Sequence, residues 1–180
     1  MLNSINKATF YTSKIDNDVC KKAFDLITNH QEKFTEQPWS CDVRTSNNIT
    51  NNILNVPDFH DLKMHALTHV YNYMYLKKMF TDGYIKNSWV NIYEKNSYQE
   101  FHTHIDPTHK YISAVIYLTE DNSEIEFDVR KRIKIKPEFS NIIIFPDDLE
   151  HRVLKNKNDK LRISLAFNFI CCEVWDIVYL

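Results

Sequence analysis

Two periodicities divide the chain. Up to about residue 82 the apolar positions recur at helical spacing, and beyond it they alternate or form short runs. Between Asp18 and Phe34, Cys20, Phe24, Ile27 and Phe34 share one face while Lys and Glu take the others, which predicts an amphipathic helix. Asp58 can cap a second helix, whose stripe of Leu62, His65, Val70, Tyr73, Met74 and Leu76 runs to about Phe80, with Gly83 ending it. Between the two, Gln37 to Asn55 holds Pro38 and the run TSNNITNNILN and reads as loop, with a short strand around Cys41 to Arg44.

Strands are predicted after Gly83 at Ser88–Tyr93, Tyr111–Leu118, Glu124–Val129, Arg132–Lys136, Ile142–Phe145 and Leu161–Ile170. Helices followed by regularly spaced strands imply an α+β fold in which a sandwich or barrel carries helices on its outside. With no repeat and no linker, the expectation is one domain over 1–180, helical to about 82, with its β core at about 86–172.

Composition narrows the function classes. The net charge of -2 removes any chain-wide attraction to nucleic acid or anionic membrane. Arg130 to Lys136 (RKRIKIK) is the most basic stretch, yet its isoleucines alternate with cations, as on an edge strand with one wet face. Nucleic-acid contact, if any, is expected there. Gly83 is the sole glycine, which excludes the P-loop and the dinucleotide fingerprint. Cys20, Cys41, Cys171 and Cys172 include no CxxC pair, so reduced thiols are expected. No apolar run is long enough to cross a bilayer and MLNSINKATFYTSK lacks a signal-like stretch, so the expectation is a cytoplasmic protein with no membrane partner.

The chemistry concentrates in two places. In His102-Thr103-His104-Ile105-Asp106 every second residue is a good metal ligand, and a strand would turn all three to one surface. Far downstream, His151 follows an apolar strand; ten residues later comes Arg162, with Ser164 two further on. Two ligands from one strand end and a third from a distant strand suit a facial triad, with the remaining metal positions open for catalysis. Arg162 offers a planar fork for a carboxylate, and Ser164 can add a hydroxyl on the same face.

The text WVNIY at 89–93, YQEFHTH at 98–104, ISAVIYL at 112–118, IIIFPDDLEHRV at 142–153 and RISLAFN at 162–168 resembles the Fe(II)/2-oxoglutarate oxygenase superfamily, and within it small oxygenases of bacteriophage genomes. The resemblance implies a double-stranded β-helix (jelly roll) with supporting N-terminal helices. It further implies Fe(II) with 2-oxoglutarate as cosubstrate and O2, release of succinate and CO2, and hydroxylation of an unidentified substrate in the host cytoplasm. Arg162 and Ser164 would hold the cosubstrate, with Asn91 and Tyr93 as further partners, and no catalytic side chain beyond the metal ligands is implied.

The family commonly shows His-x-Asp or His-x-Glu. Spacing from the Asn91-x-Tyr93 strand aligns His102-Thr103-His104 with that motif, giving the ligand set His102, His104 and His151. The other phase, His104-x-Asp106 with His151, restores a carboxylate and leaves His102 beside the metal rather than on it. Two further readings compete with the oxygenase: a cupin-like metal enzyme that does not use 2-oxoglutarate, and a non-catalytic β-helix binding module.

Other residues read more plainly. His65 and His69 stand one helical turn apart, but no Glu follows His65 as HExxH requires, so these and His60 are expected in core and surface roles. His109 and Tyr111 are expected on a loop, at the mouth of the site or in solvent. Trp39 and Trp89 are expected in the core, and Trp175 against the closing strand or a dimer contact.

Overall fold

The computed structural model describes residues 2–5, 8–36, 43–47, 49–79, 81–120, 124–129 and 131–172. Trp39, Cys41, Phe80, Arg130 and Trp175 lie outside them. In chain order the elements are β1 (Leu2–Ile5), β2 (Ala8–Lys14), α1 (Asn17–Thr28), β3 (Thr35–Glu36), β4 (Val43–Thr45), α2 (His60–Leu76) and β5 (Asp82–Tyr93). Then follow β6 (Gln99–His102), β7 (Tyr111–Tyr117), β8 (Ile125–Phe127), β9 (Ile133–Ile135), β10 (Asn141–Pro146), β11 (His151–Val153) and β12 (Arg162–Cys172).

Two antiparallel sheets result. The larger runs β1-β2-β10-β7-β12-β5-β4-β3 and the smaller β6-β11-β8-β9. From β5 onward the chain passes back and forth between them, the winding of a double-stranded β-helix.

The larger sheet is apolar on both faces, which explains why β7 and β12 read as near-continuous hydrophobic runs. Ile163, Leu165, Phe167 and Phe169 of β12 join Ile112, Ala114 and Ile116 of β7 in a core with the helical residues Ile27, Leu62, Ala66, Val70 and Tyr73. The alternate residues face the smaller sheet, where Val115, Tyr117, Phe145 and Ala166 meet Ile125 and Phe127. On β12 the residues in phase with Ala166 are Arg162, Ser164 and Asn168, so the sheet turns a polar row inward.

The helices are shorter than their sequence patterns predict. Asp16 caps α1, accepting from the amides of Asp18 and Val19; the helix stops at Thr28, and a 3-10 turn at Gln31–Lys33 carries the chain to buried Phe34. α2 begins after a 3-10 turn at Pro57–Phe59 with no side-chain cap, and it buries Ala66 where the stripe predicted His65. It ends before Gly83. Lys78 adopts φ 54°, and the amides of Met79 and Lys78 return to the carbonyls of Met74 and Tyr75, the pattern of a Schellman stop.

The segment expected to be helical also supplies strands. β2 pairs with β10 (Ile143 opposite Thr12) and extends the larger sheet, which the sequence reading of the first 82 residues missed. β9 is an edge of the smaller sheet, as the RKRIKIK pattern suggested, and Lys134 on it lies 3.7 Å from Glu124. Among the described residues no helix is long and apolar enough to cross a membrane.

Gly83 serves a different purpose from the one predicted. It lies in β5 opposite Cys171, and a Cβ there would stand 1.9 Å from the Ile170 carbonyl oxygen and 2.5 Å from a ring carbon of Phe169. Gly83→Ala must therefore push β12 away. The expected cost is about 2 kcal/mol or more, a fall of roughly 5 °C or more in Tm by calorimetry; a variant melting with the wild type would refute the close approach.

Candidate metal centre

The smaller sheet brings the histidines together across 49 residues of chain. His151 of β11 lies opposite His102 of β6, and Val153 opposite Gln99, so two steps on β11 match three on β6. This bulge turns both Gln99 and His102 toward the cavity between the sheets. β6 ends at His102, and 103–106 continue without strand pairing. The His104 amide then donates to the Asp147 carbonyl at 2.9 Å, holding the chain beside the end of β10.

The three imidazoles converge. Ring centroids lie 4.2 Å apart for His102 and His151, 5.1 Å for His104 and His151, and 5.2 Å for His102 and His104. One nitrogen of each falls within 4.8 Å of the others, and this is the one such cluster of three or more ligand residues among the described residues.

Hydrogen bonds orient the rings. Nδ1 of His102 is 2.9 Å from the Glu100 carbonyl, and Nδ1 of His151 is 2.9 Å from the Leu149 carbonyl. A carbonyl only accepts, so each Nδ1 carries the proton and each Nε2 keeps its lone pair. Nδ1 of His104 lies 2.8 Å from Asn168 Oδ1 and 2.9 Å from Ser113 Oγ. Burial lowers the pKa of all three: His104 to about 4, with neighbouring His102 adding to the shift, and His151 well below its usual value, with His102 and His104 adding. Three neutral nitrogen donors on one side of a cavity, each with its second nitrogen tied down, fit a borderline transition ion such as Fe(II).

Asp106 is held elsewhere. Its Oδ1 accepts from the amides of Thr108 and His109 and from the Thr108 hydroxyl, and its Oδ2 accepts from Tyr111 at 3.1 Å. These bonds hold its carboxyl far below the usual range. His109 of this loop stacks on Tyr111, the first residue of β7, ring centroids 6.4 Å apart. The helical histidines stand apart, with His69 bonded to Tyr11 at 3.1 Å.

The cavity beside the imidazoles is small, about 20 Å³, and His102, His104, His151, Arg162, Ser164, Asn91 and Tyr93 all line it. Arg162 is 1% exposed, its guanidinium 5.4 Å from the Tyr93 ring centre and 5.5 Å from that of Tyr117. Register explains the grouping, since Arg162 pairs with Tyr93, and Ser164 with both Asn91 and Tyr117. Small Ala166 leaves the middle of the row open, walled by Trp89 and Val115.

Sequence reading missed Trp89 as a wall of the site, and also Gln99, Ser113, Tyr117 and Asn168. Their one available signal was phase: Asn168 stands six residues after Arg162 on the same strand face, and Ser113 and Tyr117 share a face of β7.

Comparison with known proteins agrees with this fold. A family model described as the 2OG-Fe(II) oxygenase superfamily matches residues 88–170. No curated protein sequence matches the chain. Among solved structures, a Pseudomonas putida prolyl-4-hydroxylase is similar with TM-score 0.71 at 12% identity, over 89% of this chain and 91% of that one. A viral collagen prolyl hydroxylase from Paramecium Bursaria Chlorella virus-1, in its 2OG complex, gives 0.66 at 15%, over 91% and 96%. HygX from Streptomyces hygroscopicus, with nickel, 2-oxoglutarate and hygromycin B bound, gives 0.65 at 11%, over 89% and 82%. Those likenesses establish the shared fold, and the family match shows that residues 88–170, from β5 to β12, are similar to the 2OG-Fe(II) oxygenase superfamily.

Proposed function

We propose that the chain is a dioxygenase whose Fe(II) is held by His102, His104 and His151, and which binds 2-oxoglutarate with its far carboxylate on Arg162 and Ser164. The observation that carries this reading is that three convergent imidazoles and a buried guanidinium line one cavity. When bound, Fe(II) with 2-oxoglutarate and O2 supplies the chemistry: the cosubstrate is decarboxylated to succinate and CO2, taking one oxygen atom, and the second enters a C–H bond of the substrate.

The protein's own groups do the positioning. Arg162 presents its fork to a carboxylate from a site stiffened by Tyr93 and Tyr117, and Ser164 adds a hydroxyl beside it. Asn91 and Tyr93 line the same wall and offer hydrogen bonds to the cosubstrate. Trp89, Val115 and Ala166 keep the walls apolar and exclude water. The fold serves prolyl hydroxylases and a protein that binds hygromycin B alike, so it does not choose the substrate.

Resemblance to bacteriophage oxygenases, and free thiols at Cys20, Cys171 and Cys172, support action in a host cytoplasm. On β9, Lys134 is engaged with Glu124, which favours a solvated edge over a nucleic-acid surface at Arg130 to Lys136.

The direct test is metal and cosubstrate binding. Anaerobic titration of the purified chain should show one Fe(II) per chain and, with 2-oxoglutarate, the charge-transfer absorption of a chelate; with O2 and ascorbate, succinate should form slowly even without substrate. His151→Ala should abolish all three signals, and a wild type that takes up neither iron nor 2-oxoglutarate overturns the proposal.

Arg162→Ala separates this reading from a cupin-like enzyme. Loss of a buried charged partner should weaken 2-oxoglutarate binding by about 30-fold or more, roughly 2 kcal/mol, with Fe(II) affinity retained. Unchanged cosubstrate binding and activity would favour the cupin-like alternative.

The histidine pKa values set a pH dependence for the metal-free protein. Unfolded imidazoles take up protons near pH 6.5, whereas folded His104 does so only at about 4. Between these values the unfolded chain binds more protons, so this contribution to stability is whole above pH 6.5 and lost as pH falls through the window. Urea midpoints should decline from pH 6.5 to 4, and less steeply in His104→Gln; equal slopes would contradict the assignment.

A further inference from the structure

His102 and His151 each use a carbonyl two residues back along their own chain, Glu100 and Leu149 respectively. A local device of that kind comes with the backbone conformation. His104 uses none. It follows the end of β6, and its Nδ1 turns to two side chains on other strands, Ser113 of β7 and Asn168 of β12. Those two residues lie opposite one another in register, are 0% and 6% exposed, and bond to each other at 2.9 Å.

We propose that Ser113 and Asn168 are positioning residues which hold His104 as its Nδ1–H tautomer and thereby let an imidazole serve at a ligand position where the family commonly has a carboxylate. The proposal rests on the His102, His104 and His151 reading of the metal centre.

The proton count closes in one way. Asn168 Oδ1 has lone pairs and no proton. It accepts the Ser113 hydroxyl proton at 2.9 Å, so the face Ser113 turns to His104 is a lone pair. His104 Nδ1 thus faces an amide oxygen at 2.8 Å and a hydroxyl lone pair at 2.9 Å. A proton on Nδ1 makes both contacts attractive, whereas a lone pair there would set three electron-rich atoms against one another in a buried site. With the proton fixed on Nδ1, Nε2 is left basic and directed to the cluster.

A carboxylate ligand has no tautomer to choose. The Ser113–Asn168 pair therefore has work to do only because residue 104 is histidine, and its strand positions are those needed to reach a ring lying past the end of β6.

The test reads tautomer and metal affinity separately. Nitrogen-15 imidazole spectra of the metal-free wild type at pH 7 should show His104 protonated on Nδ1. Asn168→Leu should populate the other tautomer and weaken Co(II) or Fe(II) binding by about 10- to 100-fold. Asn168→Asp, which keeps an acceptor, should hold both properties near wild type. Ser113→Ala, a smaller change should Asn168→Leu fold poorly by circular dichroism, should shift tautomer and affinity in the same direction. Asn168→Leu, or Ser113→Ala in its stead, with wild-type tautomer and affinity overturns the proposal, as does an equal affinity loss in Asn168→Asp. His104→Ala separates the two levels: if it binds metal like wild type, the reading of the centre fails as well, whereas metal loss there with no effect of Asn168 or Ser113 removes only the pair.

Discussion

The site depends on one pairing, that of β6 with β11, and on the extra residue which β6 carries within it. Opposition of His102 and His151 supplies two imidazoles from segments 49 residues apart, and the bulge between Gln99 and His102 aims the first of them inward. His104 then needs only the short reach past the strand end, fixed by its amide bond to Asp147. If β6 slipped by one residue against β11, His102 would turn to the opposite face and the cluster would be lost. Register here is set by packing: Phe127 and Phe145 press on His151 with ring centroids 5.9 and 4.7 Å away, and Arg152 clamps buried Glu126 of β8.

Such a cluster is tolerable because the larger sheet has two separate interiors. One face packs on α1 and α2 with mainly aliphatic and aromatic residues, and it can supply the cooperative stability. The other can then carry Arg162, Ser164, Asn168, Asn91 and Ser113 among its apolar residues. Buried polar groups cost free energy unless partnered, and here the partners lie across strands rather than in solvent. The same arrangement removes water from the imidazoles, which lowers their proton affinity and leaves them neutral and ready to ligate.

Much of this was legible in the chain itself. The strands β5, β7, β8, β9, β10 and β12, the convergence of His102, His104 and His151, and the Arg162–Ser164 phase follow from alternation and spacing, which are local properties, whereas β11 was not read as a strand. What escaped was non-local or exceptional. β2 is a strand because β10 needs an edge partner, and ATFYTSK alone does not announce that. Gly83 reads as a helix stop, yet Lys78 stops the helix in the left-handed conformation and Gly83 is required by the close approach of β12. The row His102, His104, Asp106 assumed one unbroken strand, but β6 ends at the first of them, and beyond it residue parity no longer predicts facing.

That strand end also bears on the choice between the two ligand sets. To reach the metal, the Asp106 carboxylate would have to give up the amides of Thr108 and His109 and the hydroxyls of Thr108 and Tyr111, which together shape the loop leading into β7. His104 gives up nothing if Nε2 is its ligand atom, since its Nδ1 is the nitrogen occupied by Ser113 and Asn168. On the proposed ligand set, three neutral imidazoles would leave the double charge of Fe(II) uncompensated, where a triad with one carboxylate cancels half of it. A dianionic cosubstrate restores neutrality, so metal and 2-oxoglutarate should each bind better in the presence of the other, by the same factor. The lost negative charge becomes a coupling between cofactor and cosubstrate, mediated by the cavity that joins the imidazoles to Arg162.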